Sequence, residues 1–434
     1  MTFVRMTRAR TTRRNFLTLA AGSAAMAGTA SVFTPALAQD AGPRVVVIGG
    51  GFGGATCARA LKKANPKLAV TLVETNATYS ACPMANAVLG GLRPLSVQQF
   101  GYSSVAANGI TVALQAATGV DPAGRAVTLA DGTRLSYDRL VLSPGISLKF
   151  NALPGYSEAA AATMPHAWTD GAQVLALRAQ LEAMADGGVV VISSPDNPAR
   201  CPPGPYERAS MIAWYLKNNK PRSKIIILDS KERFSMQPLF QQAWKELYPG
   251  MIEWHGVPDG GSVASVDVAK KIFMTDFDQV KADVGNVIPP QKAGAIAEIA
   301  HVADRTGWCP VNPLTLESTL QPNIHIIGDA AIAGTMPKSA SAASSEGAIC
   351  AAAIVALLDG KTPAQPKITS LCYSLIAPGY AISIAGAYQQ TGDQFLEVEG
   401  TGITSPLDAP RERRTQEANA ADEWFKTITA MAFG

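Results

Sequence analysis

The cysteines are the residues in this chain most able to do covalent chemistry. They stand at Cys57, Cys82, Cys201, Cys309, Cys350 and Cys372, and no two form a C-x-x-C pair. That spacing encodes neither a zinc knuckle nor a C-x-x-C-H haem attachment site. It leaves thiolate chemistry: nucleophilic attack, or two-electron exchange between a dithiol and a disulfide. Cys201 lies in "SSPDNPARCPPGPYERAS", hemmed by prolines, and Glu207 comes six residues later. A carboxylate held beside sulfur suits proton transfer; the same glutamate would also complement a helix dipole from the first turn. Cys57 and Cys350 sit in Ala-rich helical stretches and read as packing residues, as does Cys309 in "GWCPVN". The scattered His166, His255, His301 and His325 read as structural or surface residues, and no metal site is expected.

A second set of residues points to phosphate. In "RVVVIGGGFGGATCARALKKA", Gly49, Gly51 and Gly54 match G-x-G-x-x-G after a strand Val45–Ile48 and before a helix Ala55–Ala64. A second strand ends at Glu74, 20 residues beyond Gly54. The glycines allow a tight turn and close approach of backbone to a pyrophosphate. The helix N-terminus favours its charge, and Glu74 suits ribose hydroxyls. Far downstream, "PNIHIIGDAA" puts Gly328 and Asp329 at the end of a strand Ile324–Ile327, ahead of a helix Ser341–Leu358. The stretch leading to Ser143-Pro144-Gly145, with its hairpin at Asp131-Gly132, resembles the segment between the two halves of FAD-linked disulfide-reductase-like enzymes. In those flavoproteins the aspartate bonds the ribityl chain and the next helix aims its positive end at the isoalloxazine.

Positioning these residues takes a larger frame. A second Rossmann-like unit begins at Val189–Ile192, continues through a helix near Glu207–Lys217, and has a strand reaching Asp229. Its first turn carries prolines in place of glycines. Prolines lack N–H donors, so the turn is a poor pyrophosphate cradle and no NAD(P) is expected. The fold class is α/β: two Rossmann-like FAD/NAD(P)-type domains plus a smaller C-terminal α+β domain. Residues 42–155 with 296–365 form the FAD-binding domain, 156–295 the second Rossmann-like domain and 366–434 the C-terminal one. "SIAGAYQQTGDQFLEVEGTG" reads as strand–turn–strand, and the C-terminus as a short amphipathic tail.

A chain of 434 residues, 47% hydrophobic, can bury cores of that number. A net charge of +3 makes no electrostatic case for nucleic acid. The N-terminus, with Arg13-Arg14, a mildly apolar stretch and Ala36-Leu37-Ala38, reads as a twin-arginine signal peptide over residues 1–38. It predicts a periplasmic protein exported folded with its cofactor, with no integral membrane segment in the mature chain. That compartment permits disulfides.

The pieces "YSACPMANAVLGG", "NPARCPPGPYERAS", "GWCPVNPLTLES", "HIIGDAA" and "SLCYSLIAPGYAISIAGAY" span nearly the whole mature chain. Together they resemble the flavoprotein subunit of flavocytochrome c sulfide dehydrogenases, with Pro83 where relatives carry a bulkier residue. The resemblance implies FAD held covalently through Cys82, a redox-active disulfide between Cys201 and Cys372, and Glu207 as acid or base. It implies sulfide as substrate, with a c-type cytochrome subunit as electron acceptor because this chain has no haem site. Sulfide:quinone oxidoreductase, a persulfide or thiol oxidoreductase, and a redox accessory protein of a thiosulfate-oxidising complex remain as other readings.

Overall fold

A computed structural model describes residues 42–169 and 171–434. The expected signal peptide lies outside the described residues. In chain order, the elements that build the site begin with β1 (Arg44–Ile48), α1 (Phe52–Ala64) and β2 (Ala69–Glu74). The short α2 (Ala85–Leu89), β3 (Thr111–Leu114) and β4 (Arg139–Leu142) come after them. Next are β5 (Val189–Ser194), α3 (Gly204–Asn219), β6 (Lys224–Asp229), β7 (Ile252–His255) and β8 (Val284–Val287). The chain closes with β9 (Ile324–Ile326), α4 (Ala340–Leu358), β10 (Lys367–Ala377), β11 (Tyr380–Thr391), β12 (Gln394–Glu397) and α5 (Arg411–Phe433).

Two parallel sheets carry the fold. The first has the order β9–β4–β1–β2–β3 and the second β7–β6–β5–β8. Their central strands are continuous apolar runs because both faces are covered: Val45, Val46 and Val47 in β1, and Val190, Val191 and Ile192 in β5, are all buried. The first sheet joins strands from residues 44–142 with a strand from 324–326, so Gly328 is delivered to the edge where α1 begins. Helices α1 and α4 pack at backbone contact. A Cβ on Gly347 would sit 2.4 Å from the Gly53 carbonyl oxygen. Cys57 and Cys350, both fully buried, neighbour one another across that seam, as their helical setting predicts. Among the described residues α4 is the helix long and apolar enough to cross a membrane; half of it is buried.

The C-terminal region departs from expectation. Strands β10, β11 and β12 form an antiparallel sheet, with Ile403–Thr404 also pairing β11. Beyond that sheet the chain forms no short tail but the 23-residue α5. Its polar composition hides a buried face, in which Arg414 and Glu417 pair at 3.2 Å while both are nearly inaccessible. Phe433 at its end lies against Phe52, Tyr79 and Phe100, with ring centroids 5.6, 5.3 and 5.1 Å away. The last helix therefore anchors on the first residue of α1.

Candidate functional site

The turn between β1 and α1 is shaped for an anion. Gly49 has φ +98°, and a Cβ there would lie 2.2 Å from the Ser143 carbonyl oxygen; one on Gly54 would lie 1.9 Å from that of Gly49. Only glycine fits either position. The N-cap of α1 is Gly51, with no side chain capping the first turn, so backbone N–H groups remain for a ligand. Glu74 accepts from Gly50 N at 2.7 Å and from Asn76 N at 2.9 Å, which fixes its carboxylate at the end of β2. Gly49 and Glu74 share one cavity. These residues fit a dinucleotide cofactor of the expected kind.

A larger cavity collects the remaining candidates. Cys82, Cys201, Cys372, Glu207, Gly328 and Asp329 all line it, together with Gly53 and the first turn of α4. Cys82 comes from the loop between the strand Tyr79–Ser80 and α2. Cys201 comes from the proline loop and Cys372 from the middle of β10. Only the tertiary fold brings the last two to one place.

The proline loop is held at defined points. Cys201 has φ +56°, a conformation costly for a non-glycine residue. Its N–H donates to the Lys338 carbonyl (2.8 Å), and its own carbonyl accepts from Gly204 N (2.8 Å). Arg200 N donates to Gln291 Oε1 at 2.8 Å. Gly204 is small for a reason: a Cβ there would meet the Trp168 ring at 2.7 Å and the Cys201 sulfur at 3.1 Å. Helix α3 starts at Gly204, three residues before the expected Glu207, with Pro203 as N-cap and Pro205 in its first turn. Glu207 is thus a buried first-turn residue.

All six cysteines are free thiols in this structure, Cys201 and Cys372 included. Cys82 and Cys201 act on one another: Cys201 lowers Cys82 to about 6, and Cys82, with burial, raises Cys201. Cys372 is raised by burial, and the Ser339 and Ser370 hydroxyls partly offset this. Ser339 also caps α4, accepting from Ala342 N at 3.2 Å, and its hydroxyl lies 3.2 Å from that of Ser370. One serine therefore ties the N-terminus of α4 to the strand that carries Cys372.

The cavity raises its acids. Burial lifts Glu207 to about 8, with the Cys82 charge adding to it and the Leu375 N–H and Asn86 amide opposing. Burial likewise raises Asp329, against Arg200 and Lys338. Glu346 of α4, raised to about 8 by burial, accepts from Gly328 N. Cys309 is fully buried in a short strand pair with Ala331–Ile332, and burial raises it to about 12. His325 is buried and lowered to about 4 by desolvation.

Sequence reasoning passes over two arginines. Arg200 precedes Cys201 and Arg208 comes directly after Glu207, and both line the cavity. The signal is their adjacency: a cation beside each of the two reactive residues in the loop. Asn86, Trp168 and Trp424 also line it and have no comparable signal.

Three family models match. Residues 174–289 match the central part of the sulfide dehydrogenase [flavocytochrome c] flavoprotein chain. Residues 364–433 match the flavin-binding part of flavocytochrome c sulphide dehydrogenase. Residues 43–186 match pyridine nucleotide-disulphide oxidoreductase. The sulfide dehydrogenase [flavocytochrome c] flavoprotein chain of Chlorobaculum thiosulfatiphilum is 56% identical over 45 residues, 10% of this chain and 94% of that sequence. This chain belongs to the flavocytochrome c sulfide dehydrogenase flavoprotein family. More distant relatives extend over most of the chain. The mitochondrial sulfide:quinone oxidoreductase of Mus musculus is 22% identical over 390 residues, 87% of this chain and 83% of its own length. The solved sulfide:quinone oxidoreductase of Aquifex aeolicus superposes with a TM-score of 0.73 at 19% identity, covering 90% of this chain and 92% of that one. A putidaredoxin reductase structure superposes at 0.63 and 18% identity, covering 90% and 99%. The fold of this flavoprotein is the two-unit Rossmann-like fold of the disulfide oxidoreductase superfamily.

Proposed function

We propose that this flavoprotein oxidises sulfide at Cys201 and Cys372, keeps FAD on Cys82, and passes electrons to a c-type cytochrome in the periplasm. The coarser part, a sulfide-oxidising flavoprotein oxidoreductase, rests on the family. The observation that carries the rest is convergence: three thiols and Glu207 line one cavity that also receives Gly328, Asp329 and the start of α4.

Bound FAD supplies a two-electron acceptor. Around it, the chain's own residues take separate parts. The free N–H groups of α1 would hold the pyrophosphate, Glu74 the ribose, and Asp329 the ribityl chain. Cys82, lowered by Cys201, is the thiol best prepared to be a nucleophile and suits a thioether anchor. Hydrosulfide attacks one sulfur of an oxidised Cys201–Cys372 pair. A new S–S bond forms to the substrate sulfur, the protein disulfide breaks, and its electron pair leaves on the other cysteine as thiolate. Glu207, neutral below about pH 8, holds the proton that this thiolate can take. No nicotinamide is part of this scheme: the start of α3 presents prolines and a glutamate where a phosphate would need N–H donors.

One observation favours a second pairing: Cys82 acts on the Cys201 thiol more strongly than Cys372 does. Peptide mapping of non-reduced protein separates the two. A Cys201–Cys372 cross-link with flavin on the Cys82 peptide supports the main reading; a Cys82–Cys201 cross-link replaces it. Acid precipitation tests the anchor, since yellow colour in the supernatant refutes Cys82 attachment. The electron acceptor is tested with purified protein and sulfide. Reduction of cytochrome c without quinone supports the proposal, whereas turnover with decylubiquinone alone assigns sulfide:quinone oxidoreductase activity.

A further inference from the structure

Arg208 is buried at 3% exposure, one residue beyond Glu207 in α3. Its guanidinium donates Nε–H to Asn86 Oδ1 (3.2 Å) and Nη1–H to both His166 O (2.8 Å) and Asn286 Oδ1 (2.9 Å). Nη2–H donates to Ala167 O, and the guanidinium carbon lies 4.8 Å from the centre of the Trp168 ring. Every one of these acceptors is neutral. Among the described residues Arg208 is in no ion pair. A buried charge without a counter-ion costs several kcal/mol. Such a charge is useful where negative charge develops beside it during reaction.

The titratable groups that face it identify that charge. Cys201, Glu207 and Arg200 act on it directly, as does Cys82 while it is a free thiol and not the flavin anchor; Cys372, Asp329 and Tyr79 complete the cavity, and Lys338 acts on Asp329 from behind. Glu207 is its neighbour in α3, and burial raises that acid to about 8. Asp329 is raised as well. Among the described residues that line the cavity, sulfur is what remains to balance the guanidinium.

A second link runs through Asn86, which is 8% exposed on α2. Arg208 occupies its Oδ1, so the amide NH₂ is turned the other way, toward the Gly204 carbonyl (3.3 Å) and the Glu207 carboxyl. A charged donor on one side of an amide fixes its orientation.

We propose that Arg208 is the counter-charge for the anionic sulfur of this cavity and, through Asn86, the positioning residue of the Glu207 carboxyl. The inference deepens the proposed function and rests on it for the identity of that anion. In HS⁻ + R–S–S–R′ → R–S–SH + ⁻S–R′, one negative charge enters on hydrosulfide and ends on a cysteine. Arg208 balances it throughout, and no further oxidant is involved. An arginine suits both tasks because its planar fork binds several acceptors while keeping its charge.

The test is the pH dependence of thiol alkylation in the dithiothreitol-reduced holoprotein. Iodoacetamide is the probe, and peptide mass spectrometry assigns the rate to each cysteine. Arg208→Gln is expected to raise the alkylation midpoint of the most reactive cysteine by at least about one pH unit, roughly a tenfold slower rate near neutrality. Arg208→Lys keeps the charge and is expected to restore most of the midpoint. Asn86→Ala is expected to leave the thiol midpoint in place and to shift only the alkaline limb of sulfide-driven flavin reduction. An unshifted midpoint in a folded Arg208→Gln protein overturns the proposal. If that variant does not fold, Arg208→Lys decides: a wild-type midpoint supports the charge role, and a full-unit rise overturns it. Alkylation needs no sulfide, so a wild-type protein inert to sulfide would sink the proposed function while leaving the thiol result to stand or fall separately.

Discussion

The turn from β1 into α1 and the turn from β5 into α3 occupy the same place in two parallel βαβ units. The first is Gly49–Gly54, where glycines admit a positive φ and backbone contacts that a Cβ would block, and α1 begins without a side-chain cap. The second runs through Pro195, Pro198, Pro202, Pro203 and Pro205, holds Cys201 at φ +56°, and places Glu207 in the first turn. One turn exposes N–H donors to an anion. The other removes donors, adds an acid, and presents a sulfur. The topology is common to both; the turn chemistry assigns the task. On the proposed function, one of the two nucleotide-type units keeps its cofactor and the other serves sulfur.

The comparison can be broken at either turn. Cys201→Ser removes the sulfur and leaves the glycine cradle alone. Sulfide-driven flavin reduction is expected to fall by about 10⁴-fold or more, with flavin content unchanged, in stopped-flow absorbance. Loss of flavin from this variant would mean that the two turns are not separate in function.

Glu207→Gln is expected to slow the same step by about 10²-fold. Its pH behaviour carries a sign. Burial raises the folded-state value to about 8, above that of an unfolded carboxyl, so the stabilising contribution is full in acid and fades as pH rises through about 8. Wild-type melting temperature should therefore fall from about pH 4.5 to about pH 8 and level off beyond it, the reduction rate should drop above about pH 8, and the glutamine variant should lack both changes. An identical alkaline limb in the variant would remove Glu207 from proton transfer.

Gly54→Val places a Cβ against the Gly49 carbonyl at 1.9 Å before any relaxation. A cost of about 1–3 kcal/mol is expected from overpacking; a lower flavin-to-protein ratio in the purified variant, read from its visible absorbance, checks it. The smallest effect is expected from Pro205→Ala. One donor returned to the start of α3 should change stability by less than about 1 kcal/mol and create no NADH oxidation, because Glu207 and the remaining prolines still face the site.

Much of this contrast is legible in residue types. Gly49, Gly54 and the prolines announce their backbone roles, and apolar runs such as Val45–Ile48 announce buried strands. Other features need the fold. Cys201 and Cys372 are 171 residues apart, and only the pairing of β10 beside α3 and the capping serine of α4 bring them to one cavity. Helix α5 reads as a short tail because Arg414 and Glu417 satisfy each other inside its buried face and break the apolar periodicity. Arg208 is hidden for a similar reason: a charged residue in a buried helix makes sense only when the neutral acceptors around it are known. The disulfide expected by resemblance is the least readable feature, since the Cys82 loop places a third thiol beside Cys201.

The central claim is that the second turn serves sulfur and not a nicotinamide. Anaerobic titration of the flavin-bound protein, monitored by visible flavin absorbance, tests it in one measurement. The account predicts bleaching by sulfide and none by NADH or NADPH. Bleaching by a reduced nicotinamide, with sulfide inert, would contradict it.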